Sequence, residues 1–389
     1  MNRAAQSGRV RRVAVFTSTR ADLWPLVPVI EAMQIQGLDV VVLATGAHLS
    51  ERFGRTAGEI PSGLEVVAIP VGLDASEPQA LAEADAAIVV GVGRALGQWR
   101  PDALVVLGDR VELLSAMTAA VLHQVPVVHL HGGELTQGAV DDSIRHAVTK
   151  LSHLHCCATE EYAARVRRLG EEGWRVHTTG APSLDRLPAA ARAHDAAALF
   201  EALGVKPSRP VALFTYHPPT MAPERQAHEL EAAIESLDVV PTVIATYPGA
   251  DVGAAEIIAR LEDWATRRSG VTVVPSLGGL YPSALANADV VMGNSSSGIV
   301  EAPTFGVPVV NIGARQLGRI RAACIIDAPE PADVGPALAR ALDPDFRASV
   351  RGEPNPYGDG DAARRIAEII AGSDPVKLWH KRFAEEPDR

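Results

Sequence analysis

Cysteines, aromatic residues and long apolar runs are scarce in this chain of 389 residues. Its three cysteines, Cys156, Cys157 and Cys324, are odd in number and two are adjacent, which argues against a disulfide framework and favours a reducing compartment. No apolar run reaches the length of a membrane span, and the run that starts at Val13 is too short for a signal peptide. We therefore predict a cytoplasmic protein without a membrane partner.

Clustered positive charge is also missing. The chain has 36 Lys and Arg against 47 Asp and Glu, a formal net charge of -11. Extended polyanions are bound by clustered Lys and Arg, so we predict that nucleic acid is not a partner. A single phosphate group is a different target, because a few arginines and backbone N–H groups bind it at short range even on an acidic protein.

Short runs of Val, Ile and Leu alternate with helical patterns along the chain, which is typical of parallel sheets covered by helices on both faces. The runs cover residues 13–16, 40–44, 103–107, 125–130, 211–215, 240–246, 271–274, 290–292, 307–312 and 324–326. Two prolines in the segment 206–210 indicate a linker in the middle. We predict two doubly wound α/β domains, at 1–190 and 205–372, and a tail at 373–389 that packs toward the first.

The strand predicted at 290–292 leads into the sequence Gly293-Asn294-Ser295-Ser296-Ser297-Gly298. A turn of small polar residues after a strand presents backbone N–H groups and hydroxyls to an anion. The alternative is an ordinary helix cap, which needs only Asn294 or Ser295. Because three serines between two glycines exceed a cap, we predict that Ser295, Ser296 and Ser297 bind the phosphates of a nucleotide.

A second glycine-rich segment, Gly91-Val92-Gly93-Arg94-Ala95-Leu96-Gly97, imitates a dinucleotide-binding motif. Its third glycine comes one residue too late, and the segment lies in a predicted helix over 79–99 rather than after a strand. We therefore predict packing glycines and no nicotinamide cofactor.

Titratable residues follow two predicted strands of the first domain, at the sheet edge where ligands bind in open α/β folds. Asp109 and Arg110 follow one strand, while His129 and His131 share a strand face in the next, and Glu134 follows a double-glycine turn. Acid–base catalysis is one interpretation and a metal site at the two histidines and Glu134 is another. The structural alternatives are a core histidine and helix caps at Asp109, Asp141 or Asp142.

Two more residues occupy equivalent positions in the two domains. Arg20 follows the first strand of the first domain, and His217 follows the first strand of the second domain, before Pro218. A structural histidine before a proline turn is the alternative for His217. The mirrored positions favour site residues, and we predict that Arg20 binds the substrate and that His217 takes part in catalysis and in substrate binding.

Together these segments resemble the UDP-N-acetylglucosamine 2-epimerases, particularly the hydrolysing branch that supplies sugars of the sialic-acid and legionaminic-acid type. The resemblance extends from about Val13 to Ile370 and is specific because many motifs occur in order. The motifs are Arg20-Ala21-Asp22, Gly108-Asp109-Arg110, Gly132-Gly133-Glu134, Asp141-Asp142-Ser143-Ile144-Arg145-His146-Ala147, His217-Pro218, Gly293-Asn294-Ser295-Ser296, Glu301, Gly306-x-Pro308-Val309, Arg315-Gln316 and Tyr357-Gly358-Asp359-Gly360.

The resemblance implies a GT-B-like fold, two Rossmann-type domains with the substrate between them, and catalysis without a metal or other cofactor. The partners it implies are a UDP-sugar, UDP and further copies of the chain in a homodimer or homotetramer. The site residues it implies are Ser295 and Ser296 at the diphosphate, Glu301 at the ribose, Arg20, Arg110, His217 and Arg315 at the phosphate charge, and Asp109 and Asp141 in catalysis beside Asp142 and Glu134.

The implied reaction is anti elimination of UDP to a glycal, followed by rehydration with inversion at C2. The expected conversion is of UDP-N-acetylglucosamine to N-acetylmannosamine; the alternatives are return of UDP to give UDP-N-acetylmannosamine, or a UDP-2,4-diacetamido-trideoxyhexose as substrate. A GT-B glycosyltransferase or a catalytically silent nucleotide-sugar binder would belong to another class.

The chain departs from the family pattern at one catalytic position. Many members have His-x-Glu-Gly-Gly where this chain has His129-Leu130-His131-Gly132-Gly133, so His131 replaces an acidic residue. Relatives that act on diacetamido-trideoxy sugars share this histidine. An imidazole exchanges protons near neutral pH, so we expect His131 to be catalytic.

Overall fold

The computed structural model describes residues 8–51, 56–71, 78–249 and 252–385. These residues form two compact units. The first unit comprises the described parts of 1–134, 141–185 and 357–389, and the second comprises those of 135–140 and 186–356.

The first unit contains a sheet whose strands all pair in parallel. Its described strands are β1 (Arg12–Thr17), β2 (Asp39–Thr45), β3 (Glu65–Ile69), β4 (Ala103–Leu107), β5 (Val127–Leu130), β6 (Leu154–Cys157) and β7 (Val176–Thr178). Their order across the sheet is β3-β2-β1-β4-β5-β6-β7. The connecting helices are α1 (Arg20–Ile35), α2 (Pro78–Trp99), α3 (Glu112–Leu122), α4 (Asp141–Leu151) and α5 (Glu160–Arg168).

The second unit repeats this architecture with a parallel sheet of order β10-β9-β8-β11-β12-β13. Its described strands are β8 (Val211–Thr215), β9 (Thr242–Thr246), β10 (Val271–Val274), β11 (Val290–Gly293), β12 (Val309–Ile312) and β13 (Ile325–Ala328). Its helices are α6 (Leu187–Ala193), α7 (Ala196–Ala202), α8 (Gln226–Leu237), α9 (Ala254–Arg267), α10 (Tyr281–Asn287), α11 (Ser296–Val300), α12 (Val334–Leu342) and α13 (Pro344–Ser349).

Strand alternation explains why both faces of the first sheet are buried. In β1, Val15 belongs to an apolar cluster with Ile30 of α1, whereas the next residue, Phe16, belongs to a cluster on the other face with Val92 of α2 and Met117 of α3. The helices therefore cover the faces, and the loops at the carboxyl ends of the strands are left for polar residues.

The chain returns to the first unit after residue 356 and forms α14 (Ala362–Gly372) and α15 (Pro375–Trp379) there. The carboxylate of Asp185 accepts hydrogen bonds from the first two N–H groups of α14, at 3.0 and 2.6 Å. Trp379 stacks on His153 with ring centroids 5.0 Å apart. Residues 357–372 thus lie in the first unit rather than with the domain predicted to end at 372, and residues 186–190, within the predicted 1–190, lie in the second.

The second glycine-rich segment lies within helix α2, which confirms the predicted helix. A Cβ atom on Gly91 would lie 2.3 Å from Cγ2 of Ile69, and one on Gly97 would lie 3.2 Å from Cε1 of His123. These glycines permit close packing in a helix, as predicted. Among the helices of the described ranges, none is both long and apolar enough to cross a membrane.

Candidate functional site

Parallel strands bring distant residues to one edge of the first unit's sheet. Strands β1, β4 and β5 are neighbours, so the segments that follow them start side by side at their carboxyl ends. Arg20, Asp109 and His131 lie in these three segments, as the strand pattern predicts.

Asp109 is held by a buried arginine. Arg145 of α4 is fully buried; it donates a short hydrogen bond from Nη2 to Oδ2 of Asp109 and another from Nη1 to the Glu134 carbonyl oxygen, at 3.0 Å. Oδ1 of Asp142 lies 3.5 Å from the same Nη1. Since the N-cap of α3 is Val111, the capping alternative for Asp109 is wrong. The carboxylate of Asp109 is oriented by a cation and keeps a quarter of its surface exposed.

His131 and Glu134 form a hydrogen-bonded pair. Nδ1 of His131 lies 2.5 Å from Oε1 of Glu134, and the two side chains are 14% and 1% exposed. His131 has a φ of 63°, a left-handed conformation that costs a non-glycine residue about 1 kcal/mol. Strand β5 ends at Leu130, so the prediction that His129 and His131 share a strand face is wrong. The turn that begins at His131 points its side chain back to Glu134.

His129 is a core histidine, the structural alternative for one member of this group. Its ring is fully buried, with Nε2 2.8 Å from the carbonyl oxygen of Gly108 and Nδ1 3.2 Å from Oγ1 of Thr149. Burial lowers the pKa of His129 to about 3, so the ring is neutral at pH 7. Both ring nitrogens are engaged, and the described part of the chain holds no group of three His, Cys, Asp or Glu side chains arranged for a metal.

One member of the acidic pair at the start of α4, Asp142, lies beside the same arginine. Asp141 and Asp142 are the first two residues of this helix and are partly buried. Oδ2 of Asp142 lies 3.6 Å from Nε2 of His146. Burial lowers the pKa of His146; Asp142 opposes this effect, and Arg145 adds to it.

Two half-exposed arginines flank this edge of the sheet. Arg20 donates from Nε to Oε2 of Glu59 at 2.7 Å, and Arg110 donates from Nη2 to Oε1 of Glu112 at 3.2 Å. Each arginine side chain is 40% exposed. Both guanidinium groups therefore keep accessible surface toward solvent while a carboxylate restrains them.

In the second unit, the glycine–serine loop is built on close backbone contact. A Cβ atom on Gly293, which has a φ of 133°, would lie 1.9 Å from the carbonyl oxygen of Thr215, so only glycine fits. Buried Asn294 accepts from the backbone N–H of His217 at 2.6 Å and donates to its carbonyl oxygen at 2.8 Å. Asn294 thus joins the loop to the end of β8 and does not cap a helix.

The three serines of the loop have different surroundings. Ser295 is the N-cap of α11, and its Oγ accepts from the backbone N–H of Ser297 at 3.4 Å. Oγ of Ser297 accepts from the hydroxyl of Tyr281 at 2.6 Å. Ser296 is exposed. Ser295 is therefore a helix cap, as the alternative interpretation predicted. Capping does not account for Ser296 and Ser297.

His217 presents one defined nitrogen as a donor. Its Nδ1 accepts from the backbone N–H of Gly249 at 3.0 Å, so the proton of the neutral ring is on Nε2. Burial, together with a smaller contribution from the charge of Arg315, lowers the pKa of His217 to about 3. His217 is therefore neutral at pH 7, and it can supply a phosphate with an N–H group rather than the charge that the family resemblance implies.

Arg315 and Glu301 lie near the same loop. Arg315 donates from Nη1 to the carbonyl oxygen of Asn294 at 3.3 Å, and Gln316 donates to the same oxygen at 2.9 Å. Glu301 is the C-cap of α11, and its charge raises the pKa of Tyr281, although burial of the Tyr281 phenol is the larger cause. His217, Arg315 and the serine hydroxyls thus all belong to the second unit, as the glycine–serine loop does.

Several structural partners have no recognisable signal in the sequence. Arg145 stands within a motif of the family, but only the fold reveals that it pairs with Asp109. Tyr162 and Tyr357, which share a hydrogen bond of 3.0 Å between their hydroxyls, are distant in sequence. Arg165 donates to the carbonyl oxygen of Gly133 and so stabilises the turn before Glu134.

Comparisons with known proteins agree with this arrangement. A family model described as UDP-N-acetylglucosamine 2-epimerase matches residues 31–371. The chain is 35% identical over 345 residues to the GDP/UDP-N,N'-diacetylbacillosamine 2-epimerase (hydrolyzing) of Campylobacter jejuni, covering 87% of this chain and 89% of the relative. It is 32% identical over 368 residues to the UDP-N,N'-diacetylbacillosamine 2-epimerase (hydrolyzing) of Legionella pneumophila, covering 93% and 96%.

Among solved structures, the fold is similar to that of the Methanocaldococcus jannaschii UDP-GlcNAc 2-epimerase in complex with UDP-GlcNAc and UDP. The TM-score is 0.74 at 19% identity, over 92% of this chain and 99% of that chain. Likeness at this identity shows the fold, and it confirms the predicted pair of parallel α/β domains.

Proposed function

Because this chain belongs to the UDP-N-acetylglucosamine 2-epimerase family, we propose that it hydrolyses a UDP-activated amino sugar with inversion at C2. The observation that carries the proposal is the 35% and 32% identity to two relatives named as hydrolysing epimerases. Their names favour UDP-N,N'-diacetylbacillosamine as the substrate, the diacetamido-trideoxyhexose type of sugar, with UDP-N-acetylglucosamine as the second candidate.

The reaction needs a base at C2 and stabilisation of the departing UDP. Removal of the C2 proton leaves its electron pair for the C1–C2 double bond, while the C1–O electron pair leaves with UDP. Water then adds a hydroxyl to C1, and a proton is added to the face of C2 opposite the one from which the first proton was removed. The products are UDP and the free epimeric sugar.

We assign the proton transfers at C2 to His131 and Glu134. A hydrogen bond from Nδ1 of His131 to the carboxylate of Glu134 leaves the lone pair of Nε2 available as a base. Inversion needs a second acid–base group on the other face of C2, for which Asp109, Asp141 and Asp142 are the candidates. The buried Arg145 supports this role because it orients Asp109 and lies near Asp142.

The departing diphosphate carries growing negative charge, which preorganised donors stabilise most effectively. We assign Ser296, Ser297, Arg315 and the Nε2–H group of His217 to the diphosphate, together with Ser295 through its backbone. Arg20 and Arg110 would contribute charge from the first unit, and Glu301 would bind the ribose hydroxyls. Because His217 is neutral, it would orient the diphosphate through a directional N–H hydrogen bond rather than attract it by charge.

The test is turnover without an acceptor in deuterated water, with UDP-N,N'-diacetylbacillosamine and UDP-N-acetylglucosamine supplied separately. We expect free UDP, and free sugar carrying deuterium at C2, which mass spectrometry and NMR detect. An epimeric UDP-sugar without free UDP would indicate the non-hydrolysing reaction. Turnover only after an acceptor is added would indicate a glycosyltransferase, and UDP binding without turnover would indicate a silent binder. Glu134→Gln is the control for exchange at C2.

Two broader proposals rest on the family resemblance and on the cysteine content respectively. We propose a homodimer or homotetramer, which sedimentation velocity of the purified chain tests directly. We propose a cytoplasmic location, which fractionation of the native cells tests. A monomer or an extracytoplasmic location would overturn these two proposals without affecting the assigned reaction.

A further inference from the structure

A cavity of about 470 Å³ lies in the second unit at the edge where strands β8, β11 and β12 begin. Its lining includes Arg209, two residues before β8, Asp289, directly before β11, and Arg347 of α13. The glycine–serine loop begins at Gly293, at the opposite end of β11. The cavity is therefore separate from the proposed phosphate loop, and its volume falls in the range of roughly 300–1,000 Å³ typical of small-ligand sites.

The accessible charge in this cavity is positive. Asp289, only 3% exposed, accepts hydrogen bonds from Nη1 of Arg209 at 2.7 Å and Nη2 of Arg347 at 2.5 Å. It also accepts one from the backbone N–H of Val211 at 2.8 Å. The carboxylate is thus hidden, whereas Arg209 and Arg347 remain 59% and 31% exposed. A ligand therefore meets guanidinium groups rather than the acid that orients them.

A third arginine adds charge that nothing nearby neutralises. Arg351 lines the cavity and is exposed, and within the described residues its side chain has no hydrogen-bond or ion-pair partner. The three guanidinium groups and one carboxylate of the lining carry a net charge of about +2, which matches a phosphate monoester better than a single carboxylate.

One wall of the cavity is apolar. Phe305, Val307 and Pro308 line it, and Phe305 is partly exposed. Gly306, between them, has a φ of 61°, and a Cβ atom there would lie 3.1 Å from the carbonyl oxygen of Val350 and 3.3 Å from Cα of Arg351. Glycine at this position lets the apolar wall approach the segment that carries the third arginine.

We propose that this cavity binds a phosphorylated small molecule, with the phosphate at Arg209, Arg347 and Arg351 and a ring or apolar group against Phe305. A guanidinium group can bind phosphate oxygens through two parallel hydrogen bonds. An arginine that acts only as a solvated surface charge does not need this geometry. The alternative occupant is a second copy of the chain, and the experiment distinguishes the two.

Phenyl phosphate is the probe, because it combines a dianionic phosphate with a ring. Saturation-transfer NMR measures its binding to the full chain without UDP, because UDP is itself a phosphorylated compound with a ring and would compete for the cavity. The double variant Arg209→Ala/Arg351→Ala leaves the Asp289–Arg347 pair intact, and Arg192→Ala on α6 removes an exposed arginine elsewhere in the same unit. We expect the double variant to weaken binding at least about tenfold and the control to leave it unchanged.

Three results would overturn the proposal. They are no saturation transfer to phenyl phosphate on the wild-type chain, equal binding by the double variant and the wild type, and loss of self-association in the double variant by sedimentation velocity. The last result would assign the cavity to contact between copies. None of them depends on turnover, so failure here is distinct from failure of the proposed epimerase reaction.

Discussion

At the scale of single residues, two histidines of the candidate site differ in which ring nitrogen is available. Nδ1 of His131 bonds a carboxylate and leaves Nε2 as an acceptor, whereas Nδ1 of His217 accepts from a backbone N–H and leaves Nε2–H as a donor. The same residue type therefore suits proton abstraction in one unit and phosphate binding in the other. Hydrogen-bond partners, and not residue identity, decide the role.

The substitution His131→Gln tests this assignment. Glutamine can still donate to Glu134 but cannot accept a proton, so we expect kcat to fall by about 10²–10⁴-fold while UDP affinity changes little. Steady-state kinetics and calorimetric UDP titration are the measurements. His228→Gln, an exposed histidine of α8, is the matched control and should keep full activity. An unchanged kcat in His131→Gln would remove this residue from the mechanism.

At the scale of elements, the carboxyl ends of the strands depend on glycines with different surroundings. Gly108 and Gly133 have similar φ values, 84° and 80°, but a Cβ atom on Gly108 meets nothing within 4 Å, whereas one on Gly133 would lie 2.3 Å from the Tyr162 carbonyl oxygen. The turn before Glu134 is thus packed directly against α5. The turn before Asp109 is not.

A matched pair of alanine substitutions separates backbone strain from steric conflict. We expect Gly108→Ala to lower the free energy of unfolding by about 1 kcal/mol, from the left-handed φ alone. Gly133→Ala should cost about 3 kcal/mol or more, because the clash with Tyr162 adds to the same strain. Urea unfolding curves of both variants measure the difference. Equal losses would show that the turn relaxes away from α5.

Elements also show where sequence patterns succeed. All ten strands predicted from apolar runs are present, because buried parallel strands need continuous Val, Ile and Leu. Three strands were missed: β3, which lies at an edge and is partly exposed, β6, whose sequence is Leu-His-Cys-Cys, and β7, which has three residues. Their pairing in the sheet stabilises them more than their own composition does.

At the scale of the whole molecule, the C-terminal segment completes the first unit. The fully buried Arg175 donates to the carbonyl oxygens of Leu378 and His380, at 2.7 and 3.0 Å, and Nζ of Lys381 lies 2.7 Å from the buried carboxylate of Glu171. These contacts add to the bonds of Arg175 with Glu172 and of Glu171 with Lys150, so the C-terminal segment shares in satisfying two buried charges.

Truncation after Ser373 should therefore destabilise the protein strongly. It removes carbonyl acceptors of Arg175 and one cation beside Glu171, and we expect a loss of about 3–5 kcal/mol in the free energy of unfolding. Thermal and urea unfolding measure the loss. Arg175→Met within the truncated chain should recover part of it by removing a buried cation that has lost its C-terminal acceptors and keeps only Glu172 and the His153 carbonyl oxygen; no recovery would mean that packing of Trp379 dominates instead.

Buried neutral histidines give the protein a defined sensitivity to acid. Burial lowers the pKa of both His129 and His153 to about 3. Below the unfolded pKa of about 6.5, the unfolded chain binds more protons, so this stability is complete above that pH and is lost as pH falls toward 3. We expect a loss of about 1 kcal/mol per pH unit for each histidine.

Denaturant unfolding between pH 7.5 and 5.0 tests this expectation. Glu171, whose pKa is lowered to about 2 by hydrogen bonds and charges that outweigh its burial, contributes a loss only below its unfolded pKa of about 4.5, outside this window. His129 and His153 should contribute about equally to the slope of unfolding free energy against pH. His153→Gln should therefore remove about half of their joint contribution. A stability that is flat over this range would contradict neutral burial of both rings.

The sequence by itself determined the two parallel α/β units, the strand ends that Asp109 and Glu134 follow, and the glycine–serine loop, because these depend on local periodicity and on turn residues. Only the tertiary structure decided the left-handed turn at His131, the pairing of Arg145 with Asp109 and the return of residues 357–372 to the first unit. The physical reason is separation along the chain. Residues far apart in sequence satisfy one another's charges and hydrogen bonds, and no local pattern records which partner each one finds.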